Sequence, residues 1–292
     1  MTAALLLGGC GSAATPAQRP VAGGRTLPPA AHEVIAALAA VPGGGLRYGE
    51  LASGAIRDLG SRRVLARVPV RSGGQRGLLG LAVDQRGRTF TASVDRRGNL
   101  AVDQVLPAPL RRVWTGPHAA QLGNGGHLAV LPDGRLVLGI GDLERPSRTS
   151  DRLALNGKLV ALAPGAGPGQ RPQILSSGWN NPFAFATTAG GRIWVADNAP
   201  GRKPERLGPG IGSGPRTPLT RPTAPSGLAV LSQREVAVCG VGSGRLDRYR
   251  RNASGQWSYA GSFATPCRFG VARLTGGDLI VSTDGGLRRL RR

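Results

Sequence analysis

The chain has 292 residues, 47 of them glycine and 23 proline, only 4% aromatic residues, and a formal net charge of +22. Turn residues recur along the whole length, which points to many short strands joined by turns and excludes a disordered chain. Lys158 and Lys203 are the only lysines, so the charge is carried by arginine; such a surface attracts anionic lipid, cell-wall polymer or nucleic acid.

Enrichment in Ala, Gly, Pro and Arg also fits translation from a GC-rich genome. No motif with interleaved aromatics supports nucleic acid as a partner. Taken in chain order, Leu7-Gly8-Gly9-Cys10 resembles a bacterial lipobox, where the chain is cut before a cysteine that carries lipid. The segment ahead of Cys10 is short and has no Lys or Arg, unlike a complete signal, which points to a start further upstream. Residues 11–41 are rich in Pro, Ala and Gly and read as a flexible tether, leaving 42–292 as one folded domain. Within the lead-in, "HEVIAALAAV" (His32–Val41) reads equally as a short helix or a strand. No later segment reaches the roughly 18 consecutive apolar residues of a membrane-spanning helix. Export places the remaining pair, Cys239 and Cys267, in an oxidising compartment, where a disulfide is expected.

Self-similarity organises the folded part. "GLAVDQRGRTFTAS" begins at Gly80, "HLAVLPDGRLVLGIGD" at His127, "AFATTAGGRIWVADN" at Ala184, "GLAVLSQREVAVCG" at Gly227 and "GVARLTGGDLIVSTD" at Gly270. Each copy is an apolar strand, a polar turn and a second apolar strand. Four of the turns share a glycine (Gly87, Gly134, Gly191, Gly277), and the fourth copy has Arg234 there. Copies lie 43 to 57 residues apart, the spacing of β-propeller blades. "GRLDRYR" (Gly244–Arg250) and "QWSYAGSF" (Gln256–Phe263) supply further strands, and "LRYGELASGAIRDL" with "RRVLARVPV" supplies an earlier blade. Roughly 250 residues at about 42 each predict six four-stranded blades, an all-β fold closed by strands from both termini. "DLERPSRTSD" (Asp142–Asp151) and the stretch from Pro200 to Pro222 read as polar insertions between blades.

A set of phrases then resembles one family. "RGLLGLAVD" (Arg76–Asp84), "NGGHLAVLPDGRLVLGIGD" (Asn124–Asp142), "NGKLVALAPG" (Asn156–Gly165), "SSGWNNPFAFA" (Ser176–Ala186), "IWVADNAP" (Ile193–Pro200), "APSGLAV" (Ala224–Val230) and "SGRLDRY" (Ser243–Tyr249) occur in the order found in the PQQ-dependent glucose/sorbosone dehydrogenases. The resemblance covers about residues 45 to 290 and implies a six-bladed propeller with a quinone cofactor and calcium at the channel mouth. PQQ carries three carboxylates, so its pocket calls for Arg and Lys, and oxidising a sugar alcohol calls for a base such as His.

Position by position, this sequence departs from that pattern. Gly123 stands where the family carries its catalytic His, and His127 where it carries an Arg. Asn180 replaces the cofactor-binding Arg, with Trp179 ahead of it, and Gly242 replaces a Lys. Cys267 and Phe269 take two further Arg positions, with Arg268 between them. Candidate bases are therefore His118, on the approach to the Gly123 loop, and His127. Asn180 and Arg268 are the candidate cofactor contacts, and the backbones of Ala199 and Pro200 the candidate calcium ligands. Trp179 and Asn181 are candidate ligand-binding residues, with Phe183 and Trp194 as further rings that would line the pocket or pack between blades. By analogy Cys239 and Cys267 lie near the mouth, where their disulfide would staple neighbouring blades and partly fill the old pocket.

The expectation is a lipoprotein exported and held at the outer face of the bacterial cytoplasmic membrane by Cys10 and the basic surface. It has a degenerate PQQ site and binds a saccharide, a cell-envelope polymer or a protein partner. The alternative is an active PQQ-dependent aldose dehydrogenase with displaced site residues.

Overall fold

A computed structural model describes residues 25–26, 33–199, 204–212, 214–219 and 223–291. Six four-stranded antiparallel sheets follow one another along the chain. Blades 1 to 5 span residues 35–67, 78–118, 125–176, 181–218 and 225–266, each running from its innermost to its outermost strand. Blade 6 takes three strands from 270–290 and its outermost from Arg25–Thr26, which pair with Arg289 and Arg288. The fold is the predicted six-bladed propeller, and strands from both ends of the chain close the ring. No described helix is long and apolar enough to cross a membrane.

The reason for six sheets in a ring is legible in the strand sequences. In blade 3 the second strand is Leu136–Ile140, and every residue of it is buried. Side chains alternate faces along a strand. Leu136, Leu138 and Ile140 pack with Phe90, Val102 and Trp114 of blade 2, while Val137 packs with Phe185, Ile193 and Val195 of blade 4. Such a sheet has no face left for water, so it needs a neighbour on each side. Clusters of buried side chains fill the junctions between blades 1 and 2, 2 and 3, 3 and 4, 4 and 5, 5 and 6, and 6 and 1.

Near the axis the innermost strands come so close that backbone meets backbone. A Cβ on Gly80 would lie 2.1 Å from the Gly126 carbonyl oxygen, and one on Gly227 would lie 2.7 Å from the Val271 nitrogen. The glycine that opens "GLAV" in two repeats thus marks the contact between adjacent blades. Register shifts interrupt the innermost pairing at its start in blades 1 to 5, the kind of bulge that re-aims a strand end.

Two boundaries differ from the sequence reading. "HEVIAALAAV" contains the innermost strand of blade 1, Ile35–Ala40, so the propeller starts inside the stretch read as a tether. Ile35, Ala37 and Leu38 are buried between blades, which decides strand over helix. The stretch 200–222 is more than an insertion: Arg206–Pro209 and Thr217–Pro218 are the outer strands of blade 4, with Leu207 buried. Arg288 and Arg289 lie on the third strand of blade 6, Gly286–Leu290. Cys10, Pro200 and most of residues 1–32 lie outside the described residues.

Because the blades are antiparallel and equivalent, the ring has two distinct ends. At the upper face the innermost strands begin and the second strands hand over to the third. At the lower face lie the turns joining first to second and third to fourth strands. Replacing Gly80 by Val is expected to cost about 2–3 kcal/mol through overpacking of the blade 2–blade 3 seam, measured as a lowered urea midpoint with unchanged m-value.

Candidate functional site

The upper mouth of blades 2 to 4 is built from backbone and from strand-end acids. Gly123 has φ of +63°, and a Cβ there would sit 2.6 Å from Asp142 Oδ1. Its N–H donates to Gln75 Oε1 at 2.8 Å, and its carbonyl accepts from Leu143 N–H at 3.0 Å. Asp142 closes the second strand of blade 3: its N–H donates to the Asn180 carbonyl at 2.6 Å, and its Oδ1 accepts from Glu144 N–H at 3.0 Å. Leu143 and Glu144, at φ of +53° and +58°, hold a backbone conformation that costs a non-glycine residue about 1–3 kcal/mol. Asn124 ties the loop together, accepting from Ala120 N–H and donating to the Gln75 and Ala120 carbonyls.

Asp197 plays the equivalent part in blade 4 and is completely buried. Its carboxylate accepts from the N–H groups of Asn180 and Asn181, from Asn180 Nδ2 at 3.1 Å and from Arg206 at 2.5 Å. The Asn180 side chain is thereby engaged in structure. Asn181 Oδ1 accepts from Gly125 N–H at 2.9 Å, so it bridges blades 4 and 3. Trp179 is fully buried in the seam between those blades. Its Nε1 donates to Ser176 Oγ at 2.9 Å, and the Arg216 guanidinium covers its ring at 3.6 Å. Burial, and then the nearby Arg206 charge, push the Arg216 pKa down.

The remaining candidates scatter. His118 ends the outermost strand of blade 2, opposite Asn99, away from the axis. His127 lies on the innermost strand of blade 3, its ring edge-on to Phe185 at 4.7 Å and tilted against Phe183 at 6.0 Å. Enclosure pushes its pKa down to about 4, partly offset by the Phe185 backbone, so the imidazole is neutral at pH 7. Arg268 is exposed on the upper face and pairs with Asp284 at 3.2 Å. Trp194 is not a lining ring: it packs edge-on against Trp257 at 5.0 Å between blades 4 and 5. Ala199 is buried at the end of blade 4, and no group of three His, Cys, Asp or Glu side chains among the described residues is placed to hold a metal.

Cys239 and Cys267 are joined in a disulfide, Cα to Cα 5.3 Å, and both are buried between blades 5 and 6. A covalent loop spanning this 28-residue separation is worth about 3–4 kcal/mol in the chain-entropy account. A cavity of about 950 Å³ opens on the axis, but its walls are the innermost strands and lower turns, including His127, Ala129, Phe185 and Arg273. It lies at the end away from the Gly123 loop.

With this geometry in hand, the chain can be set beside known structures. It matches the glucose dehydrogenase-type putative oxidoreductase of Thermus thermophilus with a TM-score of 0.74 at 24% identity, covering 91% of this chain and 99% of that one. The PQQ-bound aldose sugar dehydrogenase of Streptomyces coelicolor gives 0.74 at 22%, covering 93% and 98%. The soluble aldose sugar dehydrogenase of Escherichia coli, in its apo-form, gives 0.69 at 20%, covering 88% and 95%. The fold is that of the soluble glucose and aldose sugar dehydrogenases. No family model matches the sequence, and no curated protein does.

Motif reading pointed to the residues before the innermost strands and missed the acids that organise them. The signal was present: Glu50, Asp95, Asp142, Asp197 and Asp284 lie within two residues of the ends of the second strands of blades 1, 2, 3, 4 and 6. Glu205, which accepts from the N–H groups of Thr223 and Ala224, was also missed; burial raises its pKa.

His127 yields a pH test. Its pKa is about 4 folded against an ordinary 6.5, so between these values the unfolded chain binds the extra proton. The associated stability is fully present above pH 6.5 and is lost on acidification toward 4. Urea midpoints at pH 7 and 4.5 are expected to differ by about 2 kcal/mol more in the native chain than in His127→Gln.

Proposed function

We propose that this chain is a lipid-anchored envelope propeller that keeps the dehydrogenase fold without its chemistry and binds a saccharide or cell-envelope polymer at the upper mouth. One observation carries the loss of chemistry: at Gly123 the space that a base would enter is occupied by Asp142, 2.6 Å from any Cβ. The residues present also do not fit PQQ. A ligand of three carboxylates requires a cluster of free cations, whereas Asn180 is neutral and bound to Asp197. Gly242 has no side chain, Cys267 is in a disulfide and Arg268 is paired with Asp284. What the mouth does offer is the exposed Gln75 and Glu144 side chains, an amide and a carboxylate of the kind that recognise sugar hydroxyls. Calcium binding at Ala199 and Pro200 has no supporting group of side chains among the described residues.

The second reading, an active PQQ-dependent aldose dehydrogenase, draws on the PQQ-bound form of the Streptomyces neighbour. Titration of the full chain with PQQ and calcium, followed by thermal melting and dye-linked aldose oxidation, separates the two. The expected result is no saturable binding, no rise in Tm and no turnover; micromolar binding with turnover establishes the enzyme instead. The anchor is checked independently. Radiolabelled palmitate is expected on the chain made in a bacterial host and absent from Cys10→Ser, and an unlabelled native chain removes the anchor from the reading.

A further inference from the structure

The two ends of the propeller differ in how their turns distribute charge, while both expose apolar side chains, Leu122, Leu153 and Val241 at the upper face. Each blade places on the lower face an exposed arginine that, among the described residues, meets no carboxylate: Arg62, Arg86, Arg171, Arg192, Arg234 and Arg273 in blade order. The acids there do not offset them. Asp84, Asp133, Glu235 and Asp278 are held by Arg88, Arg135, Arg248 and Arg289 respectively, and Asp58 accepts from the Ser61 N–H and hydroxyl in its own turn. Three large apolar side chains stand out among these charges, in or beside the third-to-fourth turns. They are Val64, Leu110 and Ile211, exposed by 39%, 43% and 41%.

Strand register adds an independent observation. Arg25 pairs with Arg289 and Thr26 with Arg288, on a strand that runs from the upper face at Gly286 to the lower face at Leu290. The chain that precedes Arg25, including Cys10, therefore joins the propeller at the lower face, beside the arginines.

We infer that the lower face docks on an anionic phospholipid surface, with guanidinium groups on the phosphates and Val64, Leu110 and Ile211 reaching past them. Arginine forks match phosphate geometry, and mixed cationic and apolar surfaces lie in the headgroup layer. The orientation turns the upper mouth away from the bilayer. The inference rests on the envelope location in the proposed reading but needs no lipid on Cys10.

The test uses the full-length, disulfide-bonded Cys10→Ser chain and vesicles of phosphatidylglycerol and phosphatidylcholine, with pure phosphatidylcholine as the neutral comparison. Sedimentation is expected only with the anionic vesicles and falls steeply with salt. Each lower-face charge contributes about fivefold. Combined Arg86→Glu, Arg171→Glu and Arg234→Glu is therefore expected to weaken binding about 100-fold or more, with Tm unchanged because these side chains are exposed. Combined Arg71→Glu, Arg96→Glu and Arg145→Glu changes the net charge equally on the upper face. Strands of five or six residues span roughly 17–20 Å, beyond a Debye length of about 8–10 Å, so that variant is expected to lose threefold at most. A polarity-sensitive dye on Ile211→Cys is expected to shift to the blue on vesicles, and the same dye on Leu122→Cys, on the upper face, is not. No binding, equal weakening by the two triple variants, a shift at Leu122, or binding of soluble polyphosphate without vesicles overturns the inference. Palmitate labelling of the native chain reads out separately, so the anchor and the docking face fail independently.

Discussion

Every sheet of this protein is buried on both faces, and that constraint governs the rest. A strand such as Leu136–Ile140 sends alternate side chains into two different cores, one shared with blade 2 and one with blade 4. A stack of such sheets is satisfied only when the last meets the first, which the junction of Ile35, Leu46 and Tyr48 with Ile280 and Leu287 accomplishes. Closure also removes the lateral edge problem of an open stack. Apolar burial near 25 cal/mol per Å² rewards each junction, and the disulfide between blades 5 and 6 adds a covalent constraint to one of them.

Close approach at the axis then determines the character of the upper mouth. Where innermost strands converge, backbone occupies the space that side chains take elsewhere, as at Gly80 and Gly227. Acids at the second-strand ends satisfy backbone N–H groups of the mouth: Asp142 that of Glu144 in its own turn, and Asp197 those of Asn180 and Asn181 at the start of blade 4. These carboxylates are part of the fold's hydrogen bonding. A mouth framed by them is a poor electrostatic environment for an anionic ligand.

The opposite face carries an exposed arginine without a carboxylate partner among the described residues on every blade, whereas the acids at the second-strand ends lie at the mouth. Its turns are short and polar, so their arginines stand clear of the cores. The cations come from two kinds of turn: Arg62 and Arg171 from third-to-fourth turns, and Arg86, Arg192, Arg234 and Arg273 from in or beside first-to-second turns. The strand that closes the ring also brings the N-terminal segment to this end, so closure and orientation follow from a single pairing of Arg25–Thr26 with the third strand of blade 6.

The repeat, the turn glycines and the apolar runs were enough to specify blade number and strand count, because two-residue periodicity and burial on both faces are local properties. They left the ends of the ring open. "HEVIAALAAV" carries no local preference between helix and strand, and only its place between blades 6 and 2 decides. The fate of the site residues was likewise illegible. Trp179 reads as an open platform in sequence, but a buried seam and the Arg216 guanidinium cover it. Asn180 reads as a cofactor contact but is taken by Asp197, 17 residues further on. The absence of a base at Gly123 is a fact of sequence. That Asp142 stands where such a base would go, its Oδ1 2.6 Å from the place of a Gly123 Cβ, is decided only by tertiary packing.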